Sequence, residues 1–240
     1  MCEVIVVLVE PEHPGNVGAT ARLIKNFMGK LVIVNPKFTS LDEAYARAKH
    51  GRDVLENARI VGSLEEALSN VDCVVATTAK LGDQYHVFRT AITPQVFAES
   101  LKNVRGRVAI LFGRESIGLT NEELKLADIV VTIPTSSTYP TLNLSHAVAI
   151  ILYELFKNMQ ASSRRIKFRT AGRVEREQAL KFFREIIQML GYKPEKIPLV
   201  EKAFRNIISR AWISGREIHT LLGVLRKIRD QLTSQRQAQR

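Results

Sequence analysis

The chain has 240 residues, of which 45% are hydrophobic and 7% aromatic; this is enough to build one large domain or two modest ones and argues against wholesale disorder. No apolar run approaches the roughly 20 residues that a membrane-spanning helix needs, and the amino terminus MCEVIVVLVEPEHPG has the composition of a first strand and not of a leader peptide. We therefore expect a cytoplasmic protein with no membrane partner.

Positive charge is concentrated in the last third of the chain. Residues 161–240 hold 19 Lys and Arg against 7 Asp and Glu, whereas residues 1–160 hold 16 against 17. A near-neutral globular part followed by a basic extension favours a polyanionic partner, with nucleic acid ahead of membrane lipid. A basic surface that only keeps the protein soluble is the alternative.

Cysteine and histidine give little support for a metal site. Cys2 and Cys73 lie in or beside strand-like runs, where buried, reduced thiols are expected. The five histidines are scattered, without the spacing or cysteine pairing typical of zinc ligands. We therefore expect no metal.

Strand and helix patterns alternate along the first two thirds of the chain. The strand patterns lie at residues 3–9, 31–34, 72–77, 107–112 and 129–133. The helix patterns lie at residues 16–28, 41–57, 63–68, 94–103, 120–127 and from 143 onward, and we expect a loop at residues 78–91. Alternation at this spacing predicts an α/β fold with a parallel sheet.

The last third has a different organisation. Residues 158–174 lose periodicity and gather five basic residues, which predicts a linker. Three helical patterns follow, and we expect them to form a small, basic, all-α domain over residues 175–240. Lys202, Arg205 and Arg210 lie on its second helix away from most of the apolar positions, so we expect them to contact RNA.

The segment from Ile133 to Ile150 is a candidate ligand site. Pro134 and Pro140 bracket a polar loop between a buried strand and a buried helix. The carboxyl end of a strand and the amino end of a helix meet there, which is a common place for a ligand. An ordinary loop that enters a core helix is the alternative.

A second candidate is Leu111 to Leu119, which reads LFGRESIGL. Gly113 and Gly118 allow the backbone to approach a ligand closely or to take a positive φ. The stretch matches neither a dinucleotide-binding glycine motif nor a nucleoside-triphosphate loop. A structural turn in which Glu115 caps a helix is the alternative.

Three stretches together resemble the SPOUT superfamily of S-adenosylmethionine-dependent RNA methyltransferases, in its TrmH-like branch. They are Asn16–Arg22, Phe112–Leu119, and Ile133–Pro134 with Leu142–Ala147, and they occur in the order and spacing of that family. The helical patterns near Leu190–Tyr192, Phe204–Ala211 and Glu217–Ile228 resemble the carboxy-terminal extension of TrmJ-type enzymes. Those enzymes methylate the ribose 2′-hydroxyl of nucleotide 32 in the tRNA anticodon loop.

The resemblance implies a catalytic domain over residues 1–157 with a carboxy-terminal trefoil knot, which general topology rules count against, and a homodimer with active sites near the subunit interface. It also implies which residues line the S-adenosylmethionine pocket, many through their main chain. They are Thr77, Thr78, Ala79, Gly113, Ile133, Pro140, Thr141 and Leu142.

The same resemblance implies the catalytic residues. Arg22 is the family's catalytic arginine; a guanidinium keeps its proton near neutral pH, so we expect it to grip a phosphate and stabilise a developing alkoxide and not to act as a literal base. Asn16, Glu115 and Asn143 would orient Arg22 and the loops, and Tyr139 would contact the target nucleotide. Pro140 stands where the family has a small polar residue.

Two of these residues have a non-functional alternative: Arg22 as a surface charge on a helix, and Tyr139 as an aromatic loop residue without a role in binding. The same chemistry on ribosomal RNA is an alternative function, although the carboxy-terminal extension favours tRNA. A non-catalytic RNA-binding protein is a further alternative, which the intact motif residues disfavour.

Overall fold

The computed structural model describes residues 2–79, 91–102, 104–160 and 169–238. It contains an α/β unit over residues 2–160 and a helical unit over residues 169–238. The segment predicted as a loop at residues 78–91 falls mostly outside the described residues. None of the helices in the described ranges is long and apolar enough to cross a membrane.

Seven parallel strands form one sheet in the order β3-β2-β1-β6-β4-β7-β5. The strands are β1 (Glu3–Val9), β2 (Lys30–Val34), β3 (Arg59–Val61), β4 (Cys73–Thr77), β5 (Ala91–Ile92), β6 (Arg107–Phe112) and β7 (Ile129–Val131). The predicted α/β class with a parallel sheet is confirmed. Two short edge strands, β3 and β5, were not predicted, because two or three residues carry too little periodicity to be distinguished from a loop.

Helices cover both faces of the sheet. They are α1 (Pro14–Phe27), α2 (Asp42–Ala48), α3 (Arg52–Glu56), α4 (Leu64–Leu68), α5 (Pro94–Ser100), α6 (Asn121–Lys125) and α7 (Leu144–Gln160). Val6 and Leu8 of β1 belong to the core that includes α1 and α7, whereas Val7 and Val9 belong to the core that includes α4 and α6. This burial on both faces explains why β1 has a continuous apolar sequence.

The predicted helix at residues 41–57 is interrupted. Lys49, with φ of 50°, begins a 3-10 turn that ends at Gly51 and separates α2 from α3. An added Cβ at Gly51 would lie 2.7 Å from Cα of Arg22, so the turn packs directly against α1. The break between α2 and α3 therefore lies where the turn packs closely against α1. Helical periodicity does not reveal such packing.

The helical unit consists of α8 (Arg173–Met189), α9 (Ile197–Arg210) and α10 (Gly215–Ala238), with a 3-10 turn before α9. Its core includes Phe182 and Leu222, and the rings of Phe183 and Phe204 stack at 4.2 Å. Within the segment predicted as a linker, 158–174, α7 ends at Gln160 and α8 begins at Arg173, and residues 161–168 lie outside the described residues.

Candidate active site

A cavity of about 330 Å³ opens where the carboxyl ends of β4, β6 and β7 meet the start of α7. Its wall includes segments that are far apart in sequence but adjacent in the parallel sheet. All eight residues predicted to hold a cofactor line it, namely Thr77, Thr78, Ala79, Gly113, Ile133, Pro140, Thr141 and Leu142. The structure therefore joins the two candidate segments of the sequence into one site.

The turn from Gly113 to Gly118 forms one wall of this cavity. The backbone N–H of Gly118 donates to the carbonyl of Arg114 at 2.9 Å, and Gly118 has φ of 72°, which favours glycine. A Cβ added at Gly113 would lie 2.2 Å from the carbonyl carbon of Gly118. Glycine at position 113 is therefore required for the turn to fold back on itself.

Three of the predicted catalytic residues form one hydrogen-bonded chain. The side-chain amide of Asn16 donates to Oε1 of Glu115 at 2.8 Å. The side-chain amide of Asn143 donates to Oδ1 of Asn16 at 3.0 Å. Asn16 thus connects the first turn of α1 to the turn after β6 and to the start of α7.

Two further residues, Glu12 and Ser116, tie the same segments together and were not predicted from the sequence. The backbone N–H of Glu12 donates to Oε2 of Glu115 at 2.8 Å. In return, the carboxylate of Glu12 accepts from the backbone N–H of Ser116 at 3.0 Å and from its hydroxyl at 2.6 Å. The sequence could have indicated this contact, because polar residues that follow β1 and β6 meet if those two strands are neighbours in the sheet.

Ser145 orients Asn143, the last residue of this hydrogen-bonded series. Its backbone N–H and its hydroxyl both bond to Oδ1 of Asn143, at 2.9 and 2.8 Å. These two bonds leave the amide nitrogen of Asn143 to face Asn16. The first turn of α7 therefore determines which way the Asn143 amide points.

Arg114, which lines the cavity, anchors the turn through ion pairs. Its guanidinium makes paired bonds of 3.0 and 2.9 Å to Glu123 and a bond of 2.9 Å to Glu10. Burial raises the pKa of Glu123, but the bonds from Arg114 and Thr120 outweigh it, so the net pKa is lowered. The bonds to Glu123 and Glu10 raise the pKa of Arg114, so the Arg114–Glu123 pair remains ionised near neutral pH.

Arg22 and Tyr139 do not join this chain of bonds. Arg22 is exposed on α1, and it makes no hydrogen bond or ion pair with any residue in the described ranges. It lies six positions after Asn16, which is about 9 Å along a helix axis and on a different face. Tyr139 is 79% exposed in the loop before α7.

The structure corrects part of the predicted RNA surface. Lys202 is only 5% exposed, and its ammonium donates to the carbonyl of Ala127 at 2.8 Å. Arg205 is half-buried and pairs with Glu177 and Asp128. The prediction that Lys202 lies free on the RNA-facing surface is wrong, because the helix packs this face against the α/β unit. Arg210 is exposed, as expected.

The two cysteines are buried and free, as predicted. Burial raises the pKa of the Cys73 thiol, so it remains protonated. Within the described ranges, no group of three or more His, Cys, Asp or Glu side chains is placed to hold a metal ion.

Comparison with known proteins identifies the site's family. Residues 3–153 match the model of the SpoU rRNA Methylase family. This chain belongs to that family. The match includes every residue of the cavity and of the Asn16–Glu115–Asn143 chain, and it ends before the helical unit.

Full-length relatives extend the likeness into the helical unit. The tRNA (cytidine-2′-O-)-methyltransferase TrmJ of Methanocaldococcus jannaschii is 40% identical over 92% of this chain and 97% of its own length. TrmJ from Z. mobilis ZM4 has a TM-score of 0.67 at 27% identity, over 95% of this chain and 99% of that one. A probable methylase family protein from Haemophilus influenzae has a TM-score of 0.68 at 31% identity, covering 98% and 100%. These matches extend over both units of this chain.

Proposed function

We propose that this protein transfers a methyl group from S-adenosylmethionine to a ribose 2′-hydroxyl of tRNA, at nucleotide 32 of the anticodon loop. One observation carries the proposal: all eight predicted cofactor residues line a single cavity next to the Asn16–Glu115–Asn143 chain. The family membership and the tRNA-directed name of the M. jannaschii relative support it. Cytidine, which that name states, is the first base to test at the target.

The cavity fits S-adenosylmethionine by size and by lining. Its volume of about 330 Å³ lies within the range of small-molecule sites. Apolar side chains such as Ile133 and Leu142 suit an adenine ring, and the tight turn at Gly113 lets main-chain groups approach the ligand. Bound S-adenosylmethionine would supply an electrophilic methyl carbon on a positively charged sulfur.

The protein's own task is to align the ribose oxygen and to help remove its proton. The ribose oxygen would take the methyl group, with the sulfur of the cofactor leaving as a neutral thioether, and the hydroxyl proton would pass to phosphate or water. Arg22 has no acidic partner among the described residues, so its guanidinium can bind the adjacent phosphate and stabilise the developing alkoxide. Asn16, Glu115 and Asn143 hold the cavity edge, and Tyr139 is exposed where it can contact the target nucleotide.

A second copy of the chain and a trefoil knot belong to the same proposal. Arg22 lies away from the hydrogen bonds that join Asn16, Glu115 and Asn143 in its own subunit. A second subunit would therefore complete the active site in a homodimer. An apolar groove beside α1 and α7 supports a dimer, since it is lined by Phe27, Met28 and Phe156, and Met28 is 62% exposed. The knot would form where the chain from β7 enters α7.

The helical unit would supply tRNA affinity from residues 175–240, joined to the catalytic residues 1–157 through a basic linker at 158–174. Arg210 remains a candidate contact, and other exposed cations of the unit make no ion pair to an acidic side chain in the described ranges. They include Lys181, Lys193, Lys196, Arg216, Arg226 and Lys227. We place the enzyme in the cytoplasm, where tRNA is modified.

Transfer of radiolabelled methyl from S-adenosylmethionine to purified tRNA and to ribosomal RNA, followed by mapping of the labelled nucleotide, tests this function. Label in the ribose of tRNA nucleotide 32 is the expected result. Label in ribosomal RNA alone would support the alternative substrate. Tight RNA binding without any transfer would indicate a non-catalytic protein.

A further inference from the structure

A buried carboxylate, Asp128, lies where the helical unit packs on the α/β unit. Asp128 immediately precedes β7 and is 6% exposed, and its Oδ2 accepts from the backbone N–H of Val74 in β4 at 2.9 Å. Two cations of the helical unit approach the same carboxylate, Arg176 at 3.5 Å and Arg205 at 3.4 Å. A charge buried between two units is stable only with such partners.

The neighbouring contacts converge on the same short segment. The ammonium of Lys202 donates to the carbonyl of Ala127, and the guanidinium of Arg176 donates to the carbonyl of Asp72. Arg176 is 6% exposed. Asp128, Arg176, Lys202 and Arg205, here named the Asp128 cluster, therefore join α8 and α9 to the amino-terminal ends of β4 and β7.

Trp212 completes the contact. It is the chain's single tryptophan, it is buried at 9% exposure, and it packs in the core of the α/β unit although it follows α9. Its indole N–H and Nε of Arg176 are buried without partners among the described residues, and both residues line a cavity of about 10 Å³. Such a space is about right for one bridging water.

The strands that carry the cluster also lead to the candidate active site. β4 begins beside Asp128 and ends at Thr77, and β7 leads from Asp128 towards Ile133. Thr77 and Ile133 line the cavity, roughly 16 Å away by the rise of an extended strand. The helical unit is therefore anchored to the same two strands that position the cavity wall.

We propose that the Asp128 cluster holds the helical unit in one orientation relative to the cavity, so that a tRNA bound by the helices presents its target ribose to the active site. Asp128 is then a positioning residue that touches neither cofactor nor RNA. The inference rests on the proposed function, because it assigns RNA binding to the helices and methyl transfer to the cavity.

Asp128→Asn tests the proposal, because it keeps the shape of the side chain while removing its charge. Because Trp212 is the single tryptophan, its fluorescence reports directly whether the helical unit has separated from the α/β unit. We expect its fluorescence emission to move to longer wavelength and kcat for tRNA to fall roughly 10- to 100-fold. The affinities for S-adenosylmethionine and for tRNA should remain within about threefold of wild type, since neither binding surface is changed.

Arg184→Gln is the matched control. It also removes charge from one ion pair, here the Arg184–Glu201 pair at 2.7 Å, which lies within the helical unit. This variant should keep both the wild-type emission and the wild-type kcat. If Asp128→Asn does not fold, Arg205→Gln replaces it, because Arg205 is 22% exposed and lies at the edge of the cluster.

Unchanged Trp212 emission in the folded variant would overturn the proposal, because the cluster would then not hold the unit in place. Shifted emission with unchanged kcat would also overturn it, because the orientation would then not matter for transfer. A wild-type enzyme that transfers no methyl to tRNA refutes the proposed function and this inference with it. A variant that matches a fully active wild type refutes this inference alone.

Discussion

The side-chain amide of Asn16 donates to the carboxylate of Glu115 at 2.8 Å, although 99 positions of sequence separate the two residues. Asn16 also accepts from Asn143, so one side chain links the start of α1, the turn after β6 and the start of α7. These segments can meet only because β1 and β6 are neighbours in the sheet. The geometry of the proposed active site depends on that pairing.

Removing Glu115 should loosen the cavity turn. Glu115→Ala leaves the N–H groups of Asn16 and Glu12 without their acceptor, at a cost of about 1–3 kcal/mol. We expect S-adenosylmethionine affinity to fall roughly tenfold by calorimetry, and Glu115→Gln, which keeps one oxygen, to lie in between. Glu122→Ala, at an exposed carboxylate on α6, is the control. Wild-type affinity in Glu115→Ala would contradict the network's role.

Arg22 should matter for transfer and not for cofactor binding. Arg22→Ala should lower kcat/KM for tRNA by at least roughly 100-fold while calorimetry shows nearly unchanged S-adenosylmethionine affinity. Arg22→Lys should also fail, because an ammonium cannot make the planar, two-pronged phosphate contact. Lys25→Ala, on the same helix, controls for loss of charge. Equal losses of binding and turnover would place Arg22 at the cofactor end.

The turn at Gly113 should not tolerate a methyl group. In Gly113→Ala the added Cβ would lie 2.2 Å from a backbone carbonyl carbon, so the turn must move. Thermal unfolding should show a loss of about 1–3 kcal/mol, accompanied by weaker cofactor binding. Gly62→Ala is the matched control, because an added Cβ there meets nothing within 4 Å. Equal behaviour of the two variants would contradict the close approach.

Lys202 should make stability depend on pH in the alkaline range. The pKa of Lys202 is lowered from 10.5 to about 8, because burial and then nearby Arg205 disfavour the charged ammonium while Asp128 partly opposes them. The folded state thus binds fewer protons than the unfolded state between these values, so the free energy of unfolding rises with pH there, by up to roughly 3 kcal/mol. Denaturant titrations at several pH values should show this rise in wild type.

Lys202→Met is the comparison for that experiment. It has no ammonium to titrate, whereas every other ionisable side chain is unchanged. The difference between wild type and variant should therefore isolate the contribution of Lys202. Parallel pH profiles for the two proteins would show that Lys202 is solvated and not buried.

Exposed cations on α10 should contribute to tRNA binding through phosphate contacts. Replacing Arg216, Arg226 and Lys227 together by Gln should weaken tRNA binding and flatten its salt dependence. The slope of log K against log salt should change by roughly 2 to 3 for three lost contacts. Arg184→Gln again provides the control, because that arginine is already paired. An unchanged slope would mean that this face only keeps the protein soluble.

Local sequence patterns determined much of the architecture, because they report burial and backbone conformation directly. The strand pattern at residues 3–9 is present as β1, and the helix pattern at residues 120–127 is present as α6, which opens with a capping box at Thr120. Motif order then pointed to the family and to eight residues that prove to share a cavity. Periodicity carried no information on the short strand β5 or on the break at Lys49, since those depend on neighbours distant in sequence.

Only the tertiary structure decided which polar side chains face each other. Glu12 and Ser116 look like ordinary turn residues until β1 and β6 lie side by side, and then each satisfies the other. Lys202 sits among polar positions of α9 and was expected on the surface, yet it is buried. A helix pattern distinguishes apolar from polar positions, but it does not reveal that a second unit will cover a charged face and bring Asp128 to meet it.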